Sequence, residues 1–134
     1  MPSAGERPLA RRARVGVLTV DDHEVFRRAA RGLIEATPGF ETLGEAASGP
    51  EAVALAARLH PDLVLVDVRM DGMDGLETAR RLRGAEPDAV VVLVSIGEFP
   101  EVPPGTGAAA CVPKQELSVA RLLELWDAHR PRRA

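Results

Sequence analysis

Short apolar runs alternate along the chain with stretches in which apolar residues recur at helical spacing. The runs are rich in valine and leucine and show no regular polar alternation, as in strands buried on both faces of a sheet. We predict strands over residues 15–20, 41–46, 63–66, 89–94 and 108–112. Asp67 directly follows the central run, and a carboxylate in that place is unusual core filling.

The intervening stretches predict four helices. The first begins at Glu24, carries an apolar stripe and stops before Pro38. The second follows Ser48, a predicted N-cap with Glu51 placed for a capping box. Two others span residues 76–83 and the segment from Leu117 to about residue 129. Residues 96–107 contain so many glycines and prolines that at most about one helical turn fits there.

Strands that alternate with helices predict a parallel sheet covered on both faces, because each crossover must return over the sheet. The fold class is therefore α/β: a flavodoxin-like, doubly wound sheet of five strands in the order 2-1-3-4-5, with the fourth helix shortened or replaced by a loop.

Composition narrows the picture to one domain. At 134 residues, we predict a core domain over residues 15–129, a disordered basic tail over 1–14 and a short basic tail over 130–134. Aromatics make up only 3 % and the net charge is -3, which disfavours nucleic-acid binding. A single cysteine and no apolar run of about 20 residues indicate a cytoplasmic protein with no membrane contact.

Polar side chains stand where four of the five strands end. Asp21 and Asp22 follow the first strand, Asp67 the third, Ser95 the fourth and Lys114 the fifth. In the predicted strand order they converge on one crevice. Two carboxylates 4 Å apart repel by about 4 kcal/mol at an effective dielectric of about 20, so the three acids predict a cation, and hard oxygen ligands suit Mg²⁺.

These residues belong to motifs that resemble a known family. The chain contains Val-Asp-Asp-His at 20–23, Leu-Val-Asp-Val-Arg-Met at 65–70, Met-Asp-Gly-Leu-Glu at 73–77, Leu-Val-Ser at 93–95 and Val-Pro-Lys at 112–114. In this order they resemble the receiver domain of bacterial two-component response regulators, most closely the helix-turn-helix (LuxR/FixJ-type) subfamily. The resemblance extends over about residues 15–126.

The resemblance implies a phosphorelay function. Asp67 would accept a phosphoryl group from a sensor histidine kinase or a phosphotransfer protein. The chain itself would not be an enzyme. Asp22, Asp67 and the backbone carbonyl of Arg69 would hold Mg²⁺, with Asp21 acting through water. Ser95 and Lys114 would close on the phosphoryl oxygens and couple phosphorylation to a conformational change read by a downstream protein.

Several positions depart from the family pattern. Asp71 replaces a usual proline, Arg69 and Ile96 border the expected phosphoryl site, and Cys111 stands where an aromatic switch residue is common. Arg69 and Ile96 could restrict the approach of a phosphoryl donor or of water to the site. They therefore suggest that phosphorylation and hydrolysis of the acyl phosphate are slow. The loop predicted at 96–107 makes dimerisation through that face doubtful, so the domain is expected to be a monomer or a weak dimer. Whether it stands alone or was excised from a longer DNA-binding regulator is left open by the sequence.

The residues bear on three alternative functions. A calcium loop starting at Asp67 fails because its twelfth position is Thr78 instead of glutamate. A haloacid-dehalogenase-like phosphatase needs a second aspartate where Arg69 stands. A receiver-like interaction module that works without phosphorylation remains the alternative. His23 is expected to be exposed rather than a metal ligand, and Cys111 to be a small buried hydrophobic residue.

Overall fold

The computed structural model describes residues 14–96 and 101–131. The two predicted tails therefore lie almost wholly outside the described residues. Within them, the strands are β1 (Val15–Val20), β2 (Phe40–Ala46), β3 (Leu63–Asp67), β4 (Val90–Ser95) and β5 (Ala110–Pro113). The α-helices of the described part are α1 (Glu24–Ala36), α2 (Gly49–Leu59), α3 (Gly75–Ala85) and α4 (Val119–His129), with a 3-10 turn at Lys114–Glu116.

All strand pairs are parallel, and the sheet order is β2-β1-β3-β4-β5, as the sequence predicted. Each parallel pair needs a crossover, which is why a helix or a long loop separates consecutive strands. The register pairs Val20 with Val66 and Asp67 with Val94. The carboxyl ends of β1, β3 and β4 therefore lie side by side at one edge of the sheet.

The hydrophobic core forms two layers, one on each face of the sheet. Alternate residues of β1 show this, because Leu18 belongs to one buried cluster and Val17 to the other. The first layer packs under α2 and α3, and the second includes Ile34 of α1 and Leu122 of α4. Every residue of β3 is buried, in keeping with its unbroken apolar sequence.

Side-chain caps begin three of the helices. Ser48 Oγ accepts a hydrogen bond from the Glu51 N–H at 3.3 Å, as predicted. The returning Glu51 carboxylate accepts instead from Ala47, one residue before the position of an ideal capping box. Asp74 caps α3 and Ser118 caps α4 in the same manner. These caps satisfy N–H groups that have no partner within their own helix.

The structure shifts a few predicted boundaries. β3 includes Asp67, and β5 begins two residues later than the hydrophobic pattern suggested. His60 continues the helical pattern of the sequence, but in the structure it ends α2 in a left-handed conformation with an exposed side chain. Periodicity could not show this, because the reversal of the chain before Pro61 sets the backbone there.

No helix is present between β4 and β5 in the part of that connection which is described, Ile96 and 101–109. The prediction that the helix between the fourth and fifth strands is shortened or replaced by a loop is confirmed for those residues. Thr106 is buried, and its hydroxyl donates to the Pro103 carbonyl and accepts from the Ala108 N–H. Gly107 lies directly under the Arg83 side chain. The segment is therefore packed against the domain through its own contacts.

Among the described glycines, Gly75 is the one whose added Cβ would lie closest to a neighbouring backbone. A Cβ at this position would lie 2.7 Å from Val68 Cα and would overlap the carbonyl of Asp67. The Gly75 N–H also donates to the Val68 carbonyl at 3.0 Å. The first residue of α3 is thus pressed against the end of β3, and only glycine fits there. This contact sets the position of the Asp67 backbone.

Replacing Gly75 with alanine should destabilise the domain by about 2–3 kcal/mol, because the added methyl group has no space and the neighbours are backbone atoms. Gly84→Ala is the matched control in the same helix. Its Cβ would meet nothing, and alanine should stabilise the helix by about 0.5–1 kcal/mol. Urea unfolding of both variants measures the difference. Equal effects of the two substitutions would contradict the close approach.

Candidate functional site

The candidate site forms where β1 and β3 end beside each other. Asp21 and Asp22 follow β1, and Asp67 is the last residue of β3. The paired register of Val20 and Val66 places the acids next to one another. An acidic pair after one buried strand and a single acid after its neighbour are thus brought together by the parallel topology.

Lys114 brings a positive charge into this cluster from the end of β5. Its Nζ lies 2.8 Å from Asp21 Oδ2 and 3.6 Å from Asp67 Oδ2. The Asp21 side chain is fully buried, and its Oδ2 makes this ion-pair contact without a well-oriented hydrogen bond. One ammonium group therefore faces two buried carboxylates, which leaves the cluster with excess negative charge.

Asp67 is 4 % exposed, and its environment opposes ionisation. Burial raises the pKa of Asp67 above its ordinary value, and the negative charge of Asp21 raises it further. The Arg69 N–H, which donates to Asp67 Oδ1 at 3.3 Å, and the Lys114 charge act in the opposite direction. The unfavourable influences prevail, so a bound cation would relieve the ionised carboxylate.

His23 joins the acids, which the sequence did not indicate. Its side chain is 68 % exposed, as predicted for the first turn. Its Nδ1 nevertheless lies 2.9 Å from Asp21 Oδ1 and 3.0 Å from Asp22 Oδ1. The His23 N–H also donates to Asp21 Oδ1 at 2.8 Å. The only signal in the sequence was its adjacency to the acid pair.

A divalent cation fits the donor set at this edge of the sheet. One ligand atom each from Asp21, Asp22, His23 and Asp67 lie within 4.8 Å of one another. Three of these donors are carboxylate oxygens, the ligands preferred by Mg²⁺. A crevice of about 500 Å³ opens beside them and is lined by residues including Asp22 and Arg69. The crevice leaves room for water and for an incoming phosphoryl group.

Asp71 takes part in the site through its backbone. Its N–H donates to Asp22 Oδ2 at 3.4 Å, a long hydrogen bond. A proline at this position, as the family pattern expects, would have no N–H to donate. The departure therefore supplies a contact to one of the acids, in addition to the charge of the exposed Asp71 side chain.

Ser95 ends β4, and the side chain of Cys111 approaches it from the neighbouring strand β5. Ser95 is 3 % exposed, and the Cys111 Sγ lies 3.9 Å from its Oγ. Burial raises the pKa of the Cys111 thiol, which keeps it protonated and argues against a reactive thiolate. Cys111 is partly buried and packs against the core layer under α2 and α3, so the expectation of a small buried hydrophobic residue is met in part. Position 111, where the family pattern expects an aromatic residue, thus brings a small sulfhydryl close to the serine.

Arg69 and Ile96 border the site on the solvent side. Arg69 is exposed and lines the crevice, and Ile96 follows Ser95 with 74 % of its surface exposed. Arg69 thus borders the crevice directly, whereas Ile96 adjoins the site through its neighbour Ser95.

Arg27 falls outside the apolar stripe of α1 in the sequence. In the structure it supports the acids. Its guanidinium donates to the backbone carbonyl of Asp21 at 2.7 Å. It also lies 3.6 Å from the Glu45 carboxylate, and both side chains are largely buried. Helical periodicity assigned this arginine to solvent, because the interaction with β2 depends on the tertiary fold.

A larger cavity of about 1110 Å³ lies at the opposite edge of the sheet, where β1, β2 and β4 begin. It is lined by prolines, acids and Trp126. We assign the candidate site to the edge that carries the smaller crevice, because the buried carboxylates, the lysine and the raised Asp67 pKa all lie beside that crevice.

Asp67→Asn should raise the free energy of unfolding near neutral pH in the absence of divalent cations, since it removes a carboxylate whose pKa is raised by folding. The folded state holds this proton more tightly than the unfolded state. Wild-type stability is therefore lost as the pH rises from the ordinary pKa of 3.8 through the raised value.

Urea unfolding at acidic and neutral pH, with a chelator present, measures this effect. The advantage of Asp67→Asn should grow with pH, whereas Asp88→Asn, which removes an exposed carboxylate, should show no such growth. Added Mg²⁺ should stabilise the wild type more than Asp67→Asn. An advantage that is independent of pH would contradict the raised pKa.

Comparison with curated proteins finds relatives among bacterial regulators. The chain is 37 % identical over 117 residues to the transcriptional regulatory protein LiaR of Bacillus subtilis, a match covering 87 % of this chain and 54 % of that protein. It is 38 % identical over 103 residues to the response regulator GacA of Pseudomonas aeruginosa, covering 75 % of this chain and 48 % of GacA. The chain thus spans about half the length of these curated relatives.

Solved structures show the same fold. The signal receiver domain of the putative response regulator NarL from Mycobacterium tuberculosis aligns with a TM-score of 0.73 and 28 % identity, covering 87 % of this chain and 98 % of that one. A LuxR-family DNA-binding response regulator from Staphylococcus aureus gives 0.71 and 26 %, covering 85 % and 97 %.

The family model for the response regulator receiver domain matches residues 17–117. This range includes most of β1, all of β2 to β5 and every acid of the site. The part of the chain that the structure describes has no helix long and apolar enough to cross a membrane. The chain belongs to the response regulator receiver domain family of two-component signalling.

Proposed function

We propose that this receiver domain accepts a phosphoryl group on Asp67 from a phosphohistidine of a sensor kinase or a phosphotransfer protein. The observation that carries the proposal is the position of Asp67. It is a buried carboxylate at the end of the central strand, 3.6 Å from Lys114 Nζ and beside Asp21. A carboxylate in this setting is poised to react with an electrophile that arrives together with compensating positive charge.

Asp22, Asp67 and the backbone carbonyl of Arg69 would hold Mg²⁺, with Asp21 contacting it through water. The cation would supply neutralisation of the phosphoryl charge. The donor set supports this assignment, because it offers hard oxygen ligands around a net negative cluster. His23 stays outside the assigned ligands, since a nitrogen donor suits Mg²⁺ poorly.

In the transfer step, a carboxylate oxygen of Asp67 attacks the phosphorus of the phosphohistidine. The new P–O bond forms as the P–N bond breaks, and the imidazole nitrogen leaves with the electron pair. The chain contributes mainly position and charge, which is what phosphoryl transfer requires. Asp67 is consumed in forming the acyl phosphate, so the chain is a stoichiometric acceptor and not an enzyme.

Lys114 and Ser95 would then bind the phosphoryl oxygens. The ammonium group has only a short distance to travel from its contact with Asp21, and the Ser95 hydroxyl lies at the end of the strand next to β3. Their movement would couple phosphorylation to the connection between β4 and β5. With Cys111 in place of an aromatic residue, that movement would proceed without a ring rotation.

The surrounding assignments follow from this function. We infer a cytoplasmic domain over residues 15–129 that meets a kinase or phosphotransfer protein and an unknown downstream protein, with no nucleic acid or membrane bound by this chain. Several relatives are named as transcriptional regulators, and one is a protein-glutamate methylesterase/protein-glutamine glutaminase. Output of either kind would lie outside the receiver domain. The site leaves monomer and weak dimer equally open.

A receiver-like interaction module that works without phosphorylation is the second candidate. The observations that favour it are the exposed Ile96 and Arg69 at the entrance of the crevice, and Cys111 against Ser95. These would hinder a donor or weaken the usual switch. The buried acids and Lys114 favour the first candidate, phosphorylation of Asp67. A module that is never phosphorylated would gain nothing from burying carboxylates that repel one another.

Intact-mass measurement after incubation with Mg²⁺ and a small acyl phosphate tests the proposal. The wild type should gain the mass of one phosphoryl group, and Asp67→Asn should gain none. Asp71→Asn is the matched control, because it removes a nearby exposed carboxylate and should still be modified. Phosphorylation of Asp67→Asn would overturn the assigned acceptor. No modification of the wild type, by the small donor or by a cognate kinase, would favour the unphosphorylated module.

Ile96→Ala should raise the initial rate of phosphorylation by the small donor about two- to tenfold, because it opens the approach to Asp67. Val25→Ala is the control, since Val25 is 82 % exposed on α1 and away from this entrance. A time course of intact mass gives both rates. An unchanged rate for Ile96→Ala would show that this side chain does not restrict the donor.

A further inference from the structure

The position of the Lys114 ammonium group depends on its surroundings. Lysine has a flexible stem and a compact charge without the fixed geometry of a guanidinium group. In this chain the side chain is 18 % exposed, and its Nζ contacts Asp21 and Asp67. It also lies over the ring of Phe26, 4.5 Å from the ring centroid. The ammonium group is therefore enclosed by two carboxylates and an aromatic face.

Phe26 stands on a firmly anchored part of the fold. It is the third residue of α1, which begins directly after the acid pair. The next residue, Arg27, donates from its backbone to the His23 carbonyl and from its side chain to the Asp21 carbonyl. The Phe26 ring is partly buried and packs against the core layer that contains Ile34. The ring thus holds a defined position relative to Asp21.

We propose that Phe26 is a positioning residue for the phosphoryl site. Its ring makes a cation–π contact with the Lys114 ammonium group and so holds that group where it can reach both Asp21 and Asp67. This inference rests on the proposed function. The negative face of the ring attracts the ammonium group, and the attraction strengthens when the group is withdrawn from water. Because a ring face has no single acceptor atom, Nζ can shift from Asp21 toward a phosphoryl oxygen and remain over the ring.

The other explanation for Phe26 is apolar packing alone. The ring closes one side of the core layer, and leucine or methionine would fill that space almost as well. Packing depends on shape, however, whereas attraction of an ammonium group depends on the electron density of the ring. Fluorine atoms on the ring reduce that density with little change of shape. Fluorinated phenylalanines therefore separate the two explanations.

The experiment uses the full chain with Mg²⁺ and beryllofluoride, which mimics a phosphoryl group on an aspartate, and measures affinity by calorimetry. Mono-, di- and trifluorophenylalanine at position 26 should weaken the affinity stepwise, by about three- to tenfold over the series. Phe26→Tyr should retain the wild-type affinity, and Phe26→Leu should lose about as much as the trifluoro variant. In a Lys114→Met background, Phe26→Leu should have no further effect.

The outcomes distinguish the inference from the function on which it rests. If the wild type binds beryllofluoride but the fluorinated series shows equal affinities, the ring acts by packing and the inference is overturned. An unchanged loss for Phe26→Leu in the Lys114→Met background would overturn it as well. If the wild type binds no beryllofluoride in the presence of Mg²⁺, the phosphoryl site itself is wrong, and both proposals fall together.

Discussion

The repulsion among the carboxylates at the end of β1 and β3 is the constraint on which this structure depends. Asp21 and Asp67 are buried beside each other, and one lysine balances them only in part. Such a cluster is unfavourable by itself, and burial raises the Asp67 pKa accordingly. A hydrophobic core on both faces of the sheet stabilises the fold enough to tolerate it. The unfavourable charge is what the proposed cation would neutralise.

Backbone contacts hold the acids against this repulsion. Gly75 presses the start of α3 onto the end of β3, and Arg27 fixes the carbonyl of Asp21. The Arg69 and Asp71 N–H groups approach the carboxylates of Asp67 and Asp22. These restraints come from the loops that follow the strands, where active sites of parallel sheets are usually built. Rigid strands and closely packed loops together define the geometry.

The supporting residues around the site differ from the family pattern more than the acids do. A cysteine lies against Ser95, a packed loop spans 101–109 in place of helix, and the described aromatic ring at the site comes from α1. Charge and hydrogen-bonding geometry restrict the acids and the lysine, whereas many side chains can fill the space around them.

The sequence by itself determined the fold class, the strand order and the identity of the clustered residues. Continuous apolar runs predict buried parallel strands, and polar residues at their ends must then converge, because all carboxyl ends lie at one edge. Tertiary structure alone decided how these groups pair. Lys114 faces Phe26 and Asp21, Arg27 reaches the Asp21 carbonyl, and His23 turns back onto the acids. Such contacts depend on the distances between separate elements, and hydrophobic periodicity carries no information about those distances.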